Sequence, residues 1–228
     1  MHSASAAPLP MLPFAAAPYT QWGGAAQGEF QRRYLGADLT YIRRGALTLG
    51  WTPTRDFSVW SELGLTSLQI LAGAEPTGAL GPSFGLGGTL AAKKPLWRYW
   101  TPLIAARATQ NQSKLSDDQY PTGRPATSRR SCFDWLEGWG CIGAYKYLKH
   151  GLFFSGLTLR FMMLDERRMQ RTGSAVQTLN YNYNSGIKPG LGLGMRFNMP
   201  HRLNLWLFAE VFDGGARLSV NVGQWGTS

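Results

Sequence analysis

The sequence predicts an all-β protein, an antiparallel up-and-down transmembrane β-barrel of about ten strands, with eight as the alternative. Apolar side chains alternate with glycine or polar side chains along many segments, which is the two-residue period of a strand. Charged residues make up only 16% of the 228 residues, whereas soluble domains typically contain about 25%. Because no run of roughly 18 apolar residues could form a transmembrane helix, a closed barrel is the remaining way to satisfy the backbone in lipid.

The clearest alternation lies at 187–199, where glycine or polar residues stand between bulky ones. A strand of about thirteen residues is roughly 40 Å long, which suits a tilted membrane crossing with an extension. We expect the bulky face to contact lipid and the small face to line a narrow interior. The alternative is a soluble barrel or sandwich whose apolar face lines a core. The bulky face is Ile187, Pro189, Leu191, Leu193, Met195, Phe197 and Met199.

The start of the chain, residues 1–32, is rich in alanine and proline and is predicted to be an extended segment ahead of a barrel that spans 33–228. This segment lacks a basic region followed by an unbroken apolar run, so we expect a signal peptide to precede this numbering. An all-β chain of this length is commonly a single barrel.

The first half of the barrel begins with a predicted hairpin over 33–51, which turns at Arg43-Arg44-Gly45. Strands over 57–66 and 83–92 follow, each with its bulky side chains on one face. The second half contains two polar stretches, near 111–140 and 165–178, which are predicted to be long loops. The strands around them are predicted over 99–110, 140–148, 153–163, 187–199, 203–211 and 216–222.

These amphipathic strands, the unequal loops and a set of aromatic residues make the chain resemble the small monomeric outer-membrane β-barrels of Gram-negative bacteria, over residues 33–225. The resemblance lies in architecture, with no diagnostic motif, and implies a bacterial outer-membrane location with the long loops outside. Such barrels usually end on an aromatic residue, whereas here Gly226, Thr227 and Ser228 follow Trp225. The candidates for an aromatic girdle are Trp51, Phe57, Trp97, Tyr99, Trp100, Phe197 and Trp225.

The formal net charge of +10 could indicate nucleic-acid binding. The basic residues are scattered over turns and loops, however, and no helix-turn-helix, zinc-ligand or RNP-like pattern accompanies them, so nucleic acid is not an expected partner. Anionic lipid headgroups suit such a surface better.

The two cysteines, Cys132 and Cys141, flank a short tryptophan-rich stretch. A disulfide between them would suit an exported protein, and two free thiols are the alternative. Two cysteines with no nearby histidine cannot complete the four ligands of a zinc site, so we expect no metal.

Charged residues at inward positions are predicted to form a network across the lumen, because unpaired charges in a water-poor interior are costly. A polar plug that makes the barrel rigid is the simplest role. The alternative is a gate or a narrow path, which the excess of arginine would make selective for anions. The predicted network is Asp38, Glu62, Arg107, Arg160, Lys188, Arg196, Glu210 and Arg217.

A second basic set falls on the predicted outer loops, where guanidinium groups could pair with lipopolysaccharide phosphates. Plain solvated charge is the alternative. The set is Arg43, Arg44, Lys114, Arg124, Arg129, Arg130, Arg167, Arg168 and Arg171.

Catalysis is not expected. The omptin-type proteases and outer-membrane phospholipases of similar architecture place a histidine at the outer rim or on the lipid-facing wall, whereas His2, His150 and His201 fall in the leading segment and in predicted periplasmic turns. The sequence therefore predicts a non-enzymatic barrel without cofactor, with a structural or accessory envelope role against lipid and lipopolysaccharide. The alternatives are a narrow channel for small, anionic solutes and a subunit that binds a protein partner in an envelope complex.

Overall fold

A computed structural model of the chain describes residues 21–35, 38–54, 56–70, 77–96, 99–119, 127–200 and 203–225. These residues form β-strands joined by short connections. The strands are β1 (Gln21–Leu35), β2 (Asp38–Thr54), β3 (Phe57–Ile70), β4 (Thr77–Ala79), β5 (Gly81–Ala91), β6 (Trp100–Gln119), β7 (Thr127–Leu148), β8 (Gly151–Thr172), β9 (Ala175–Asn184), β10 (Lys188–Asn198), β11 (Leu203–Phe212) and β12 (Gly215–Trp225). Among the described residues, no helix is long and apolar enough to cross a membrane.

Ten of the strands close into a ring. The order is β1-β2-β3-β5-β6-β7-β8-β10-β11-β12, and β12 pairs with β1 to complete it. All pairings are antiparallel. β4 pairs with β6. β9 pairs with residues 163–172 of β8, and β10 pairs with residues 151–160 of the same strand. The prediction of an up-and-down barrel with ten strands is confirmed.

Three neighbouring strands, β6, β7 and β8, are the longest. β6 has 20 residues and β7 and β8 have 22 each, whereas β11 has 10. We call the end of the ring at which β1 begins and β12 ends the terminal end. The halves of β6, β7 and β8 farthest from it extend beyond the ring. We call this part the extension: β4, residues 112–119, 127–136 and 163–172, and β9.

The outward face of the ring is covered by bulky apolar side chains, which we call the apolar belt. Leu47, Leu63, Leu157, Leu191 and Val211 are each exposed by 64% or more. The outward faces predicted for 57–66, 83–92, 153–163, 187–199 and 203–211 are all confirmed. A closed antiparallel barrel with an apolar outward face is the architecture of bacterial outer-membrane proteins and places the chain in that membrane. Since such barrels have short periplasmic turns and long outer connections, we expect the terminal end to face the periplasm.

The lumen is filled with side chains in three layers. An aromatic cluster lies at the terminal end and includes Trp60, Tyr145, Phe154 and Phe208. A second apolar cluster lies at the end that carries the extension, where Leu68, Phe133, Trp135, Met162 and Leu164 are almost completely buried. Charged and polar side chains occupy the layer between them.

The structure corrects the predicted start of the barrel. Residues 21–32, predicted to belong to the leading segment 1–32, form most of β1, and 33–51 is not a hairpin, because Arg43-Arg44-Gly45 lies inside β2. The outward side of β1 carries Gly24, Ala26 and Gly28, which are too small to show the alternation that identified the other strands.

The two predicted long loops are also corrected. Residues 100–119 and 127–148 are β6 and β7, and 165–178 lies within β8, a two-residue turn and β9. The polar residues in these strands predicted loops because the extension stands in water on its outward face, where a strand needs no apolar side chains. The stretch 120–126 lies outside the described residues.

Candidate functional site: a charged belt in the lumen and a basic outer surface

The middle layer of the lumen contains interlocked ion pairs, which we call the belt. Every second residue of a barrel strand points inward, so eight strands each contribute side chains at this height. The belt consists of Glu29, Arg33, Arg44, Glu62, Arg107, Glu137, Arg160, Glu210 and Arg217, all at most 9% exposed.

Glu62 is the centre of one half of the belt. Its Oε2 lies 2.7 Å from Arg44 Nη1 and accepts from Arg107 Nη2 at 2.9 Å. Trp60 Nε1 donates to the other oxygen at 2.9 Å. Arg107 continues to Glu29, with Nη1 at 2.9 Å from Oε2. The two glutamates are thus joined through one guanidinium, which can form two-pronged bonds because it is planar.

Arg160 is the centre of the other half. Its Nε donates to Glu210 Oε2 at 2.9 Å, and its Nη1 donates both to Glu137 Oε1 at 2.6 Å and to Gln31 Oε1 at 2.9 Å. Its guanidinium also lies 5.0 Å from the centre of the Phe212 ring. A fully buried arginine with two carboxylate partners is held in place, so the belt can make the barrel rigid.

Two arginines occupy different positions around this layer. Arg217 lies 3.4 Å from Glu29 Oε1 and packs over the rings of Trp139 and Phe208, which join the belt to the aromatic cluster. Arg196 is buried closer to the terminal end, beside Tyr145 and Tyr147.

Of the predicted lumen network, Glu62, Arg107, Arg160, Glu210 and Arg217 lie in the belt, and Arg196 lies below it. Lys188 is at the mouth of the barrel, where its Nζ is 2.6 Å from Asp213 Oδ2. The side chain of Asp38 lies outside the described side chains. The sequence interpretation missed four members: Glu29, Arg33, Arg44 and Glu137. The spacing of Arg44 from Leu47 and Leu49 in one unbroken strand was the signal that could have placed it inside.

The predicted lipopolysaccharide set divides in the structure. Arg43, Lys114, Arg130, Arg167 and Arg171 are exposed on the outward side. Arg44 is a correction, because it faces the lumen and pairs with Glu62. The side chains of Arg124 and Arg129 lie outside the described side chains.

Arg168 is also held within the protein. It lies on the inner side of the extension, where its Nε and Nη2 donate to the two oxygens of Glu166 at 2.9 and 3.0 Å. Burial lowers the pKa of Arg168, but the hydrogen bond and the charge of Glu166 outweigh this and raise it. Ser131 and Tyr183 donate to the same carboxylate, and the guanidinium stacks 4.5 Å from the Tyr181 ring. This cluster ties β7, β8 and β9 together.

The exposed cations form a group across neighbouring strands. Lys114 on β6 and Arg167 on β8 lie directly opposite Cys132 in the two strands that flank β7. Their backbones are therefore about 10 Å apart, two strand spacings. Arg130 stands two residues above Cys132 on the same face. Asp134 and Asp165 lie opposite each other in β7 and β8, two residues closer to the apolar belt than Cys132 and Arg167.

An apolar groove of about 880 Å³ lies on the lipid-facing wall below Arg43. Phe30, Leu65 and Leu218 are among the side chains that line it, and Gly28 and Gly45 leave it open. A cation above a lipid-facing groove suits a lipid whose headgroup is anionic.

The predicted disulfide is wrong. Both cysteines are free, with Cys132 exposed and Cys141 buried. They lie nine residues apart in the single strand β7, about 30 Å along it, and on opposite faces. A disulfide requires Cα atoms within about 7 Å.

His150 lies at an exposed two-residue turn between β7 and β8, at the terminal end, and His2 and His201 lie outside the described residues. In the described part of the chain, no cluster of three or more His, Cys, Asp or Glu side chains could hold a metal ion.

No protein-family model and no curated protein matches the chain. Among solved structures, the translocator domain of the autotransporter NalP from Neisseria meningitidis is similar with a TM-score of 0.48 and 11% identity, over 91% of this chain and 88% of that one. The outer-membrane protease OmpT from Escherichia coli is similar with a TM-score of 0.45 and 8% identity, over 90% of this chain and 93% of that one. An outer-membrane channel from Pseudomonas putida F1 has a TM-score of 0.43 and 8% identity, over 93% of this chain and 98% of that one. Since these are a translocator, a protease and a channel, the similarity transfers no activity to this chain.

Proposed function

We propose that the protein is a non-enzymatic structural barrel of the outer membrane, closed to solutes, that holds lipopolysaccharide through the basic outward surface of its extension and rim. The filled lumen is the observation that carries this proposal. Two apolar clusters enclose a belt in which each carboxylate is already bound by arginine. Among the described residues, this arrangement pairs every belt carboxylate with arginine and packs side chains at three heights of the lumen, which supports a barrel closed to solutes and without catalysis.

The filled lumen argues against the alternative of a narrow anion channel. Passage would require the belt to open, and removing one partner of a buried ion pair costs about 3–5 kcal/mol. Four of the arginines that would favour anions are instead paired with belt glutamates: Arg44, Arg107, Arg160 and Arg217.

Contact with lipopolysaccharide is supported by the position of the exposed cations. Lys114, Arg130 and Arg167 are exposed on the outward face above the apolar belt, the level at which we expect the phosphates of the outer leaflet. Arg43 stands at the top of the apolar groove. Guanidinium and ammonium groups at this height can pair with phosphate without entering lipid.

The test compares two variants with the same charge change. One replaces Lys114, Arg130 and Arg167 with glutamine, and the matched control replaces Lys93, Lys94 and Lys149, which are exposed at the terminal end. We expect added lipopolysaccharide to raise the melting temperature of the wild type in detergent, to raise that of the control equally, and to raise that of the first variant by less than about half as much.

Two results would contradict the proposal. If both triple variants lose the shift equally, only net charge matters and the outward surface has no specific role. If the wild type shows no shift at all, the protein does not hold lipopolysaccharide, and the exposed cations are solvated charge.

A further inference from the structure

A polar cleft of about 440 Å³ opens at the end of the barrel that carries the extension. It lies between the end of β1, the end of β9 with the start of β10, and the turn that joins β11 to β12. This volume is within the roughly 300–1,000 Å³ that small-molecule sites occupy. Its lining includes Arg33, Tyr34, Asn182, Asn184, Lys188 and Phe212.

Arg33 is the only belt arginine that also lines this cleft, and its bonding is incomplete among the described residues. The residue is 2% exposed, and neither Nε nor Nη1 has a hydrogen-bond partner. Its nearest carboxylate oxygen, Glu137 Oε1, is 4.0 Å from Nη1, because Arg160 Nη1 already holds that oxygen at 2.6 Å. A buried guanidinium with unsatisfied donors is costly and is ready to bind an anion.

A second cation stands at the mouth of the same cleft. Lys188 is 33% exposed in its side chain and pairs with Asp213, which is 65% exposed. A pair this exposed contributes little to stability, so an anion in the cleft can compete with Asp213 for the ammonium group.

One wall of the cleft is the free edge of β9. Among the described strands, β9 pairs with β8 alone, and Ser185 N donates to Met162 O on that side. Because alternate peptide groups of an antiparallel strand point to opposite sides, those of Asn182 and Asn184 point away from β8, toward the cleft. Peptide donors and acceptors without a strand partner suit a ligand that carries many hydroxyl groups.

The remaining surface is aromatic. Phe212 forms the floor and is buried beneath Arg33, whose guanidinium carbon is 6.0 Å from the ring centre. The ring available to a ligand is that of Tyr34, which is 53% exposed at the rim. Aromatic faces bind apolar C–H surface, which sugar rings present on one side, while their hydroxyls point to polar groups.

We propose that this cleft is a binding site for a sugar that carries a compact oxyanion, either a carboxylate or a phosphate, with the oxyanion on Arg33 and Lys188 and the hydroxyls on the edge of β9. The site faces outward from the membrane, so its ligand is a free or surface-linked sugar acid or sugar phosphate of the extracellular side. This site is separate from the cation group on the outward face and does not depend on lipopolysaccharide binding.

The test is calorimetric titration of the full chain in detergent micelles with four probes: galacturonate, glucose 6-phosphate, galactose and inorganic phosphate. We expect at least one of the two anionic sugars to bind, about tenfold or more tighter than galactose or inorganic phosphate. The preference between galacturonate and glucose 6-phosphate identifies the oxyanion.

Three variants assign the binding to this cleft. Arg33→Met is expected to weaken binding of the preferred sugar by about tenfold or more, and Lys188→Met by about threefold. Asp213→Asn is expected to tighten it by about twofold, because the competing carboxylate is removed. Lys149→Gln, which removes one charge at the opposite end, is the control and leaves the affinity unchanged.

Lys188 and Asp213 are exposed, so their variants keep the test decisive if Arg33→Met does not fold. The proposal is overturned if galactose binds as tightly as the anionic sugars, if neither anionic sugar binds at about 10 mM, or if Lys188→Met and Asp213→Asn change the affinity no more than Lys149→Gln does. Binding of inorganic phosphate as tight as that of glucose 6-phosphate overturns the assignment to a sugar.

Discussion

At the scale of single residues, the face on which a charge lies decides its role. Arg43 and Arg44 are adjacent, yet Arg43 is exposed at the top of a lipid-facing groove and Arg44 is buried 2.7 Å from Glu62. The same alternation separates Arg167, which is exposed, from Arg168, which pairs with Glu166. A basic dipeptide in a barrel strand therefore supplies one outward and one inward charge.

The belt predicts a large loss of stability for Glu62→Gln. The amide keeps the shape of the side chain but removes the charge that Arg44 and Arg107 share, so both guanidinium groups stay buried with less compensation. We expect the free energy of unfolding, from urea titration in lipid vesicles, to fall by about 3–5 kcal/mol.

Asp213→Asn is the comparison, because it also removes one carboxylate from an ion pair, but an exposed one. Its expected effect is below about 1 kcal/mol. Equal effects of the two substitutions would mean that the belt does not hold the barrel together.

At the scale of single strands, glycine sets how closely neighbours approach. Gly64 on β3 stands directly across from Ala46 on β2, and a Cβ at Gly64 would lie 2.8 Å from the Cα of Ala46 and still closer to the Gly45 carbonyl. These are backbone atoms, which cannot turn aside as a side chain would. The β2–β3 spacing at this point therefore requires glycine.

Gly64→Ala is expected to destabilise the barrel by about 1–3 kcal/mol, since the two strands must move apart. Gly45→Ala is the matched control from the neighbouring strand, because a Cβ there has nothing within 4 Å. Urea unfolding of both variants measures the difference. A loss of the same size for both would show that backbone flexibility, and not the close approach, is what matters at these positions.

At the scale of the whole molecule, side chains of the described residues pack the lumen in three layers, and the extension rises above them. The aromatic cluster, the belt and the second apolar cluster follow one another along the lumen. Small barrels are commonly filled by side chains in this way. The extension rises from this filled ring, and the cleft beside β9 lies at the rim of the ring.

The proposal that the lumen is closed to solutes predicts no ion conduction. We expect the purified protein to produce no single-channel steps after insertion into planar lipid bilayers in about 1 M salt, whereas a porin inserted under the same conditions conducts. Insertion is checked independently by protection of the ring from protease in vesicles. Reproducible steps with a preference for anions would instead support the narrow channel.

The sequence by itself determined the fold class and the lipid-facing side of most strands. The predicted count of about ten agrees with the ring because two errors cancel: most of β1 was missed, and β2 was divided at Arg43-Arg44-Gly45. The two-residue period is a local property, so it can be read from 187–199 or 203–211 without knowledge of any neighbour. It failed only where the outward side chains were too small, as in β1, or polar, as in the extension.

Only the tertiary structure decided which charges meet, that the cysteines stay apart and that a cleft exists at the mouth. Arg107 and Glu62 are 45 residues apart in sequence, and Arg160 and Gln31 are 129 apart. Such partners meet because the ring closes and brings inward faces together across the lumen. Register and closure are set by pairing between strands, and a local period contains no information about them.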